Sequence, residues 1–365
     1  MAVRYIGSKT RVVDKILDVI GAPDSHENYF VDAFAGTGAV AAAAAEAGWS
    51  IRVNDSLYCA SVLAAAQVTT RSQVPFEGLG GYEEAIRRLS AAASRSGFIW
   101  REYSPASVHQ TGVERRYFTE ANAQRIDGMR AQISTWCVDG VITADEERLL
   151  IADLLVAVNR VANIAGTYGC FLREFASNAL SAVSVEPRRL SERLGLLDVF
   201  CGDVFDLPSS PGDVVYYDPP YTKRQYAAYY HILETVAVGD SPVVAGVTGL
   251  RPWQNKSSVF CYKSKALGAL VDLIASTDAR RIFLSYSDEG HVSLDALQPL
   301  LEVVGDVRVH QLAQIGRYRP NQRASDNRSL VHEYLVEVVR HEESLDGSFG
   351  DAVDACSSSF ALSVD

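Results

Sequence analysis

The chain has 365 residues, which is enough for two domains or for one domain with a large insertion. Its composition is that of a soluble globular protein, no apolar run reaches the roughly 18 residues of a membrane span, and the first residues lack the apolar core of a signal peptide. The formal net charge of −11 argues weakly against binding to nucleic acid, but six of the acids follow His341, and without those six the rest of the chain carries −5.

The positions of the cysteines and histidines argue against disulfide bonds and against a metal site. The six cysteines are scattered and form no Cys-x-x-Cys pair, which predicts reduced thiols and a cytoplasmic protein. The seven histidines show no spacing typical of a metal site, so we expect no bound metal. Residues 341–365 are acidic and rich in Ser, Asp and Gly, and this composition predicts a disordered tail.

The first predicted element is an amphipathic helix. Ser8 is placed to cap it, its apolar face lies within residues 12–20, and Gly21 ends it. Tyr5 and Lys9 lie where this helix starts. Lys9 is therefore a candidate for contact with an anionic group, although a solvated lysine in the first turn is the simpler interpretation of this segment alone.

A strand, a glycine turn, a helix and a second strand follow. The apolar residues 29–34 predict a strand, and an alanine-rich helix begins after the turn. A glycine turn between a strand and a helix brings backbone N–H groups close to a ligand. The next strand, residues 50–54, ends at Asp55, where an acid is typical of ribose contact, so the pattern favours an adenosine-containing ligand over a purely structural turn. The predicted binding residues around the turn are Phe34, Ala35, Gly36, Thr37 and Gly38.

Residues 67–195 are predicted to form a mostly helical insertion, which divides the remaining α/β core into residues 1–66 and 196–340. Apolar residues repeat at helical spacing across the insertion, and Thr143 begins a capping box at the start of a long helix. A glycine- and aromatic-rich loop or hairpin ends at Arg173. This arginine could bind phosphate, but the arginines of the insertion are too sparse to distinguish that role from an ordinary surface position.

Two further strands end in carboxylates. The strand predicted at residues 197–201 is followed by Asp203. The buried strand predicted at residues 213–217 runs into the four residues Asp218, Pro219, Pro220 and Tyr221. The prolines stiffen this turn and remove two N–H donors, so that nearby carbonyl groups stay available as acceptors. Together with the carboxylate and the aromatic ring, these acceptors suit the exocyclic amine of a planar base, whereas the alternative is a proline turn with a capping Asp.

The remaining elements complete the α/β pattern. A loop at residues 239–262, for which a mobile lid is one interpretation, precedes a helix at residues 265–277, and strands are predicted at residues 281–286, 303–312 and 333–339. Basic and aromatic residues near these elements are interpreted as contacts to nucleic acid, with core-packing tyrosines and a solvated arginine loop as the alternatives. They are Lys223, Arg224 and Tyr226 after the proline turn and Arg317, Arg319, Arg323 and Arg328 in the last loop.

These motifs, in this order, resemble those of the Dam-like DNA adenine-N6 methyltransferases. The resemblance spans most of the chain and is carried by residues 5–9, 34–38, 54 and 55, 203, and 218–221. It implies an α/β fold with a Rossmann-like seven-stranded S-adenosylmethionine-dependent methyltransferase sheet, with S-adenosylmethionine as the methyl donor and double-stranded DNA as the substrate. Members with Ser in place of the Asp more often methylate cytosine, so Asp218 favours adenine.

The resemblance also implies roles for individual residues. The cofactor would be held by Tyr5, Lys9, the turn at residues 34–38, Asp55, Asp203 and Asp218. The target adenine would be flipped out of the duplex and stacked on Tyr221, while Asp218 and the Pro219 carbonyl accept hydrogens from N6. Residues 67–195 and 222–230 would choose the recognition sequence, a restriction endonuclease would act as a separate partner, and monomer and dimer both stay open.

Two other functions compete with this interpretation. A nucleotide-cofactor oxidoreductase of the NAD type would use the glycine turn and Asp55 equally well, but it leaves the turn at residues 218–221 unexplained. The second is a catalytically inactive DNA-binding partner on a methyltransferase fold, and the intact Asp218 and Tyr221 argue against it.

Overall fold

The structure is a computed structural model that describes residues 5–7, 9–25, 27–192, 195–316 and 330–341. Its helices are α1 Val13–Ile20, α2 Ala39–Glu46, α3 Tyr58–Val68, α4 Tyr82–Ser90, α5 Phe98–Tyr103, α6 Val108–Thr111, α7 Glu120–Val138, α8 Ala144–Val161, α9 Ser177–Leu180, α10 Tyr226–Tyr229, α11 His231–Val238, α12 Lys263–Ala275 and α13 Leu294–Leu301. Its strands are β1 Tyr29–Asp32, β2 Ser50–Asn54, β3 Leu197–Phe200, β4 Val214–Tyr217, β5 Arg281–Ser287, β6 Gly305–Gly316 and β7 Leu330–Arg340. None of the helices within these ranges is long and apolar enough to cross a membrane.

The strands form one sheet in the order β3-β2-β1-β4-β5-β7-β6. β1 to β5 run parallel, and β7 is inserted antiparallel between β5 and β6. The chain moves outward from β1 to β2 and β3 on one side and from β4 to β5 on the other, so the direction of strand order reverses between β1 and β4. Open α/β sheets bind ligands beyond the carboxyl ends of the strands at such a reversal. This strand order confirms the predicted seven-stranded α/β sheet.

Apolar side chains cover both faces of the sheet. β4 is buried along its whole length, as its continuous apolar run predicts. Val214 and Tyr216 belong to the core that includes residues of α1 and α2, while Val215 and Tyr217 belong to the core that includes residues of α12 and α13. Successive side chains of a strand point to opposite faces, which produces this division. The two cores together hold the carboxyl ends of β1 and β4 side by side.

Helices α4 to α9 lie between β2 and β3 in the chain, and α4, α5, α7 and α8 contribute to a third core with α3 and α11. Thr119 caps α7, and Thr143 forms the predicted capping box with Glu146 at the start of α8. The structure therefore has the helices that the apolar spacing predicts in this region. The domain boundaries at residues 67 and 195 stay a prediction, and the tail from residue 342 onward lies outside the described residues.

The first helix begins later than predicted. α1 starts at Val13, its N-cap Val12 makes no side-chain capping hydrogen bond, and Ser8 lies outside the described residues. A turn closed by a hydrogen bond from the Val12 N–H to the Lys9 carbonyl, at 2.9 Å, leads into the helix. Lys9 thus precedes the helix by one turn. Its side chain is only 5% exposed, so the simpler interpretation of a solvated first-turn lysine is wrong.

Candidate active site

A cavity of about 880 Å³ opens at the carboxyl ends of β1 and β4. It brings together the glycine turn after β1 and the proline turn after β4, because these two strands are neighbours in the sheet. Its volume is in the range of small-molecule and cofactor sites. Among the residues predicted to bind a ligand, the cavity is lined by Tyr5, Lys9, Phe34, Ala35, Gly36, Thr37, Asp55, Asp203, Asp218, Pro219, Pro220, Tyr221 and Tyr226.

The glycine turn uses backbone conformations that favour glycine. Gly36 and Gly38 have φ angles of 54° and 78°, and the Gly36 N–H donates to Asp55 Oδ2 at 3.1 Å, which ties the turn to the end of β2. A Cβ at Gly36 would lie 3.1 Å from the Tyr5 ring, and one at Gly38 would lie 2.6 Å from the Ala64 Cα in α3. Gly36 therefore lets the N-terminal segment approach the cavity, whereas Gly38 packs the turn against α3 and is not part of the lining.

Asp55 and Asp203 lie on the side of the cavity formed by the ends of β2 and β3. The two Asp55 oxygens accept backbone N–H groups, Oδ2 from Gly36 and Oδ1 from Leu57 at 2.9 Å. Asp203 is exposed, and its Oδ1 accepts the Phe205 N–H at 3.2 Å. Carboxylates at two neighbouring strand ends suit the hydroxyl and amine donors of an adenosine.

The Asp218 carboxylate is paired with Lys9. Lys9 Nζ lies 3.0 Å from Asp218 Oδ1. The Tyr221 ring lies with its centroid 5.4 Å from Nζ and 5.5 Å from that of Tyr286, so a cation and an aromatic ring both contact it. The Tyr221 carbonyl accepts the His291 N–H at 2.9 Å, which fixes the turn to the loop after β5. A carboxylate and an aromatic ring thus share one wall of the cavity.

Two tyrosines that follow the proline turn hold the N-terminal segment against the cavity. Tyr5 stacks on Tyr230, with the ring centroids 4.4 Å apart. The Tyr230 hydroxyl accepts the Ile6 N–H at 2.7 Å, and the Tyr226 hydroxyl donates to the Ile6 carbonyl at 3.2 Å. The segment after the proline turn therefore positions the segment that carries Lys9.

Three carboxyl groups line the cavity, of which Asp32 and Asp55 are buried and Asp218 is half-buried. Burial raises the pKa of Asp32 to about 8 and the pKa values of Asp55 and Asp218 to about 6. Backbone N–H groups oppose this rise at Asp32 and Asp55, and Lys9 opposes it at Asp218. Burial disfavours ionisation of all three groups, and repulsion from Asp218 and Asp55 adds to this at Asp32, so a ligand with a positive charge would stabilise their ionised forms.

We expect Asp32→Asn to alter the pH dependence of stability. Because its pKa is raised in the folded state, Asp32 holds its proton more tightly there than in the unfolded chain, and its contribution to stability falls as the pH rises from about 4 to about 8. Asparagine cannot ionise, so the fall in unfolding free energy between about pH 6 and 8, at most about 1.4 kcal/mol per pH unit, should become smaller. Urea unfolding across this range measures the change, and equal slopes for the two proteins would contradict it.

Sequence analysis missed several residues of the site, among them Asp32, Lys256 and Phe260. Asp32 ends β1 just before the glycine turn, so the same rule that selects acids at strand ends could have found it. Lys256 and Phe260 line the cavity from the loop between α11 and α12. Lys256 Nζ donates to the Ser56 carbonyl at 2.6 Å, and the Phe260 ring meets the Phe34 ring edge-on, with centroids 5.6 Å apart. This loop has no hydrophobic period, so its sequence carries no signal for a cavity wall.

The residues predicted to bind nucleic acid differ in their exposure and in their distance from the cavity. Lys223 and Arg224 are exposed directly after the proline turn, and Arg173 is exposed in the loop after α8. Tyr226 is half-buried and lines the cavity. Arg317, Arg319, Arg323 and Arg328 lie outside the described residues, and their contact with phosphate stays a prediction.

The chain is similar to proteins whose names refer to methylation. The profile of a family described as D12 class N6 adenine-specific DNA methyltransferase matches residues 5–298. Type II methyltransferase M.FokI from Planomicrobium okeanokoites is 32% identical over 346 residues, which are 92% of this chain and 52% of that protein. Type II methyltransferase M.NlaIII from Neisseria lactamica is 32% identical over 337 residues, which are 91% of this chain and 97% of that protein.

A third relative, modification methylase StsI from Streptococcus sanguinis, is 32% identical over 92% of this chain and 52% of its own length. The chain therefore spans about half the length of M.FokI and StsI and nearly all of M.NlaIII. No solved structure matches the chain.

Proposed function

Because the chain belongs to the family of D12 class N6 adenine-specific DNA methyltransferases, we propose that it transfers a methyl group from S-adenosylmethionine to N6 of a flipped-out adenine at a specific sequence in double-stranded DNA. The observation that carries this proposal is that the glycine turn after β1 and the proline turn after β4 line the same cavity. A cofactor on the first turn and a base on the second would lie next to each other. An NAD-type oxidoreductase is not favoured, because that activity would leave the turn at residues 218–221 without a function.

The residues of the cavity fit S-adenosylmethionine as the cofactor. The raised pKa values of Asp32, Asp55 and Asp218 mean that a positive charge in the cavity would favour their ionised forms, and a sulfonium group brings such a charge. We assign Tyr5 and the glycine turn to holding the cofactor, Asp55 to its ribose hydroxyls and Asp203 to its adenine amine. Lys9 lines the same cavity. When bound, S-adenosylmethionine supplies the methyl group as an electrophile.

The proline turn is assigned to the target base. Asp218 and the Pro219 carbonyl would accept the two N6 hydrogens, which turns the N6 lone pair towards the cofactor side of the cavity. The Tyr221 ring would stack on the flipped adenine. An in-line displacement requires this orientation and the exclusion of water, and it requires no covalent intermediate with the protein.

Expression in a host that lacks adenine methylation tests the proposal. Sequencing of the host DNA with detection of modified bases is expected to find N6-methyladenine at one short sequence, which also identifies the recognition sequence. DNA without N6-methyladenine would overturn the proposal. Calorimetry that found binding of NAD and no binding of S-adenosylmethionine would favour the oxidoreductase instead.

Tyr221→Ala is expected to weaken capture of the flipped adenine by about 1–3 kcal/mol, because the variant loses the ring that stacks on the base. Tyr221→Phe keeps the ring and is the matched control. Affinity is measured with a duplex that carries the recognised sequence and an abasic site opposite the target adenine, so that flipping costs little. Equal affinity of the alanine variant and the unchanged protein would contradict stacking on Tyr221.

We also infer that residues 67–195, together with the exposed Arg173, Lys223 and Arg224, contact the DNA and choose the recognition sequence. Relatives carry the names Type II methyltransferase and modification methylase, and this supports a place in a restriction-modification system. A restriction endonuclease would then act as a separate protein. The scattered cysteines favour a cytoplasmic location.

A further inference from the structure

Lys9 occupies a position where a charged lysine needs a partner. Its side chain is 5% exposed, and the Asp218 side chain beside it is 16% exposed. Removing an ammonium group from water costs several kcal/mol unless an opposite charge and hydrogen bonds compensate it. The 3.0 Å contact between Lys9 Nζ and Asp218 Oδ1 provides that compensation. The pair joins the N-terminal segment directly to the carboxylate assigned to the target amine.

The groups that face Asp218 come from several elements of the fold. They are Lys9 before α1, Asp32 at the end of β1, Tyr216 in β4, Tyr221 in the proline turn, Tyr226 in α10 and Glu333 in β7. Of these six groups, only Lys9 carries a positive charge. Burial and the carboxylate of Glu333 disfavour the ionised form of Asp218, whereas Asp32, whose pKa is higher, still holds its proton as Asp218 ionises. The ionised form therefore depends on Lys9.

Protonation of Asp218 would change what this residue can do for an amine. An ionised carboxylate only accepts hydrogen bonds, whereas a protonated carboxyl group also donates one. Burial raises the pKa of Asp218 to about 6, and Lys9 keeps it from rising further. Burial is the largest single effect on Lys9 and acts to lower its pKa, but the attraction and hydrogen bond to Asp218, together with attraction to Tyr221 and Glu333, raise the Lys9 pKa above its ordinary value. Lys9 therefore remains charged throughout the neutral pH range.

We propose that Lys9 is a positioning residue for methyl transfer, whose ammonium group keeps Asp218 ionised and occupies Oδ1, so that Oδ2 accepts a hydrogen from N6 of the target adenine. This inference rests on the function proposed above. In this inference Lys9 helps to orient the target amine by acting through Asp218. The resemblance to the family instead implies that Lys9 contacts the cofactor.

Three variants of the full chain separate the charge of Lys9 from its hydrogen bond. Lys9→Gln keeps a donor without the charge, Lys9→Met has neither, and Lys9→Arg keeps both. Single-turnover methylation is measured between about pH 5 and 9 with saturating S-adenosylmethionine, on genomic DNA from a host without adenine methylation. The acid limb of the rate profile is expected to move upward by about 1–3 pH units in the two uncharged variants and to stay in place in Lys9→Arg.

At pH 7 a shift of one unit lowers the rate of the uncharged variants by about twofold, two units by about tenfold and three units by about a hundredfold, and the rate recovers as the pH rises. Affinity for S-adenosylmethionine, measured by calorimetry, is expected to stay close to that of the unchanged protein. A lower rate at every pH with an unmoved acid limb would overturn the proposal, and so would a loss of cofactor affinity with an unmoved limb. If Lys9→Met does not fold, Lys9→Gln decides the outcome, because its amide still donates to the carboxylate.

A second measurement does not depend on activity. The ligand-free protein is labelled with ¹³C at the aspartate carboxyl groups, and the Asp218 signal is identified by its loss in Asp218→Asn. We expect its titration midpoint to rise by about 1–3 pH units in Lys9→Gln. An unchanged midpoint would overturn the proposed pair. The midpoint of Lys9→Gln could also rise while the unsubstituted protein fails to methylate DNA. That result would support the pair of Lys9 and Asp218 and would overturn the proposed function.

Discussion

Asp218→Ala is expected to abolish methyl transfer to N6 while binding of S-adenosylmethionine is largely kept. Alanine removes the acceptor that orients the N6 lone pair, and the loss of one preorganised hydrogen-bonding group in an active site typically costs about 10²–10³-fold in kcat. Asp218 follows β4, whereas the glycine turn that would hold the cofactor follows β1 and keeps its own hydrogen bond to Asp55. Single-turnover methylation and calorimetry measure the two effects separately.

Asp203→Ala is the matched control for this experiment. Asp203 follows β3, on the other side of the glycine turn from β4 in the sheet. We expect its loss to weaken binding of S-adenosylmethionine and to change the single-turnover rate little once the cofactor is saturating. A normal methylation rate for Asp218→Ala would show that the role of Asp218 is assigned wrongly. The same conclusion would follow if Asp218→Ala and Asp203→Ala changed the single-turnover rate and the cofactor affinity alike.

Stability needs a separate control, because Asp218→Ala leaves the Lys9 ammonium group buried without its partner. Removing one member of a buried ion pair costs about 3–5 kcal/mol of unfolding free energy. The double variant Lys9→Met with Asp218→Ala removes both charges and is expected to recover most of this loss without recovering activity. Recovery of methylation in the double variant would show that the single variant is inactive only because it is destabilised.

The positions of the acids and turns at strand ends could be predicted because the signal is local. Asp55, Asp203 and Asp218 each follow a short segment of alternating or continuous apolar residues, and the length and composition of such a segment favour a strand without reference to the rest of the fold. The adjacency of β1 and β4 is not local, since β2, β3 and helices α4 to α9 come between them in the chain. The resemblance to a known family implied a seven-stranded sheet without giving its strand order, and the structure shows that β1 and β4 are neighbours in it.

Two features of the site could not be predicted, because they too depend on contacts between distant parts of the chain. They are the ion pair of Lys9 with Asp218 and the cavity wall formed by the loop before α12. Lys9 and Asp218 lie far apart in the chain, and the tyrosines after the proline turn bring the N-terminal segment to the cavity. Phe260 lies in a loop without periodicity, and its contact with Phe34 depends on the packing of the finished fold. Local patterns therefore identified the acids of the site, while tertiary packing decides which groups contact them.

Gly38→Ala is expected to destabilise the protein and to weaken binding of S-adenosylmethionine. Gly38 has a φ of 78°, and an added Cβ would lie 2.6 Å from the Ala64 Cα and 2.9 Å from the Ala64 carbonyl oxygen. The left-handed conformation costs an alanine about 1–2 kcal/mol. The contact with α3 adds a further cost of about 1–3 kcal/mol, because backbone atoms must move to relieve it. Separation of α2 from α3 would also displace the glycine turn, since Gly38 is the N-cap of α2.

Gly112→Ala is the control that isolates the contact with α3 from the backbone strain. Gly112 has a φ of 70° and a ψ of 3°, close to the 78° and 21° of Gly38, and no described atom lies within 4 Å of an added Cβ. Its alanine variant therefore carries only the cost of the left-handed conformation, and it should bind S-adenosylmethionine normally. Urea unfolding and calorimetry on both variants test this difference. Equal losses of stability and equal cofactor affinities would show that close packing of the turn against α3 does not shape the cofactor site.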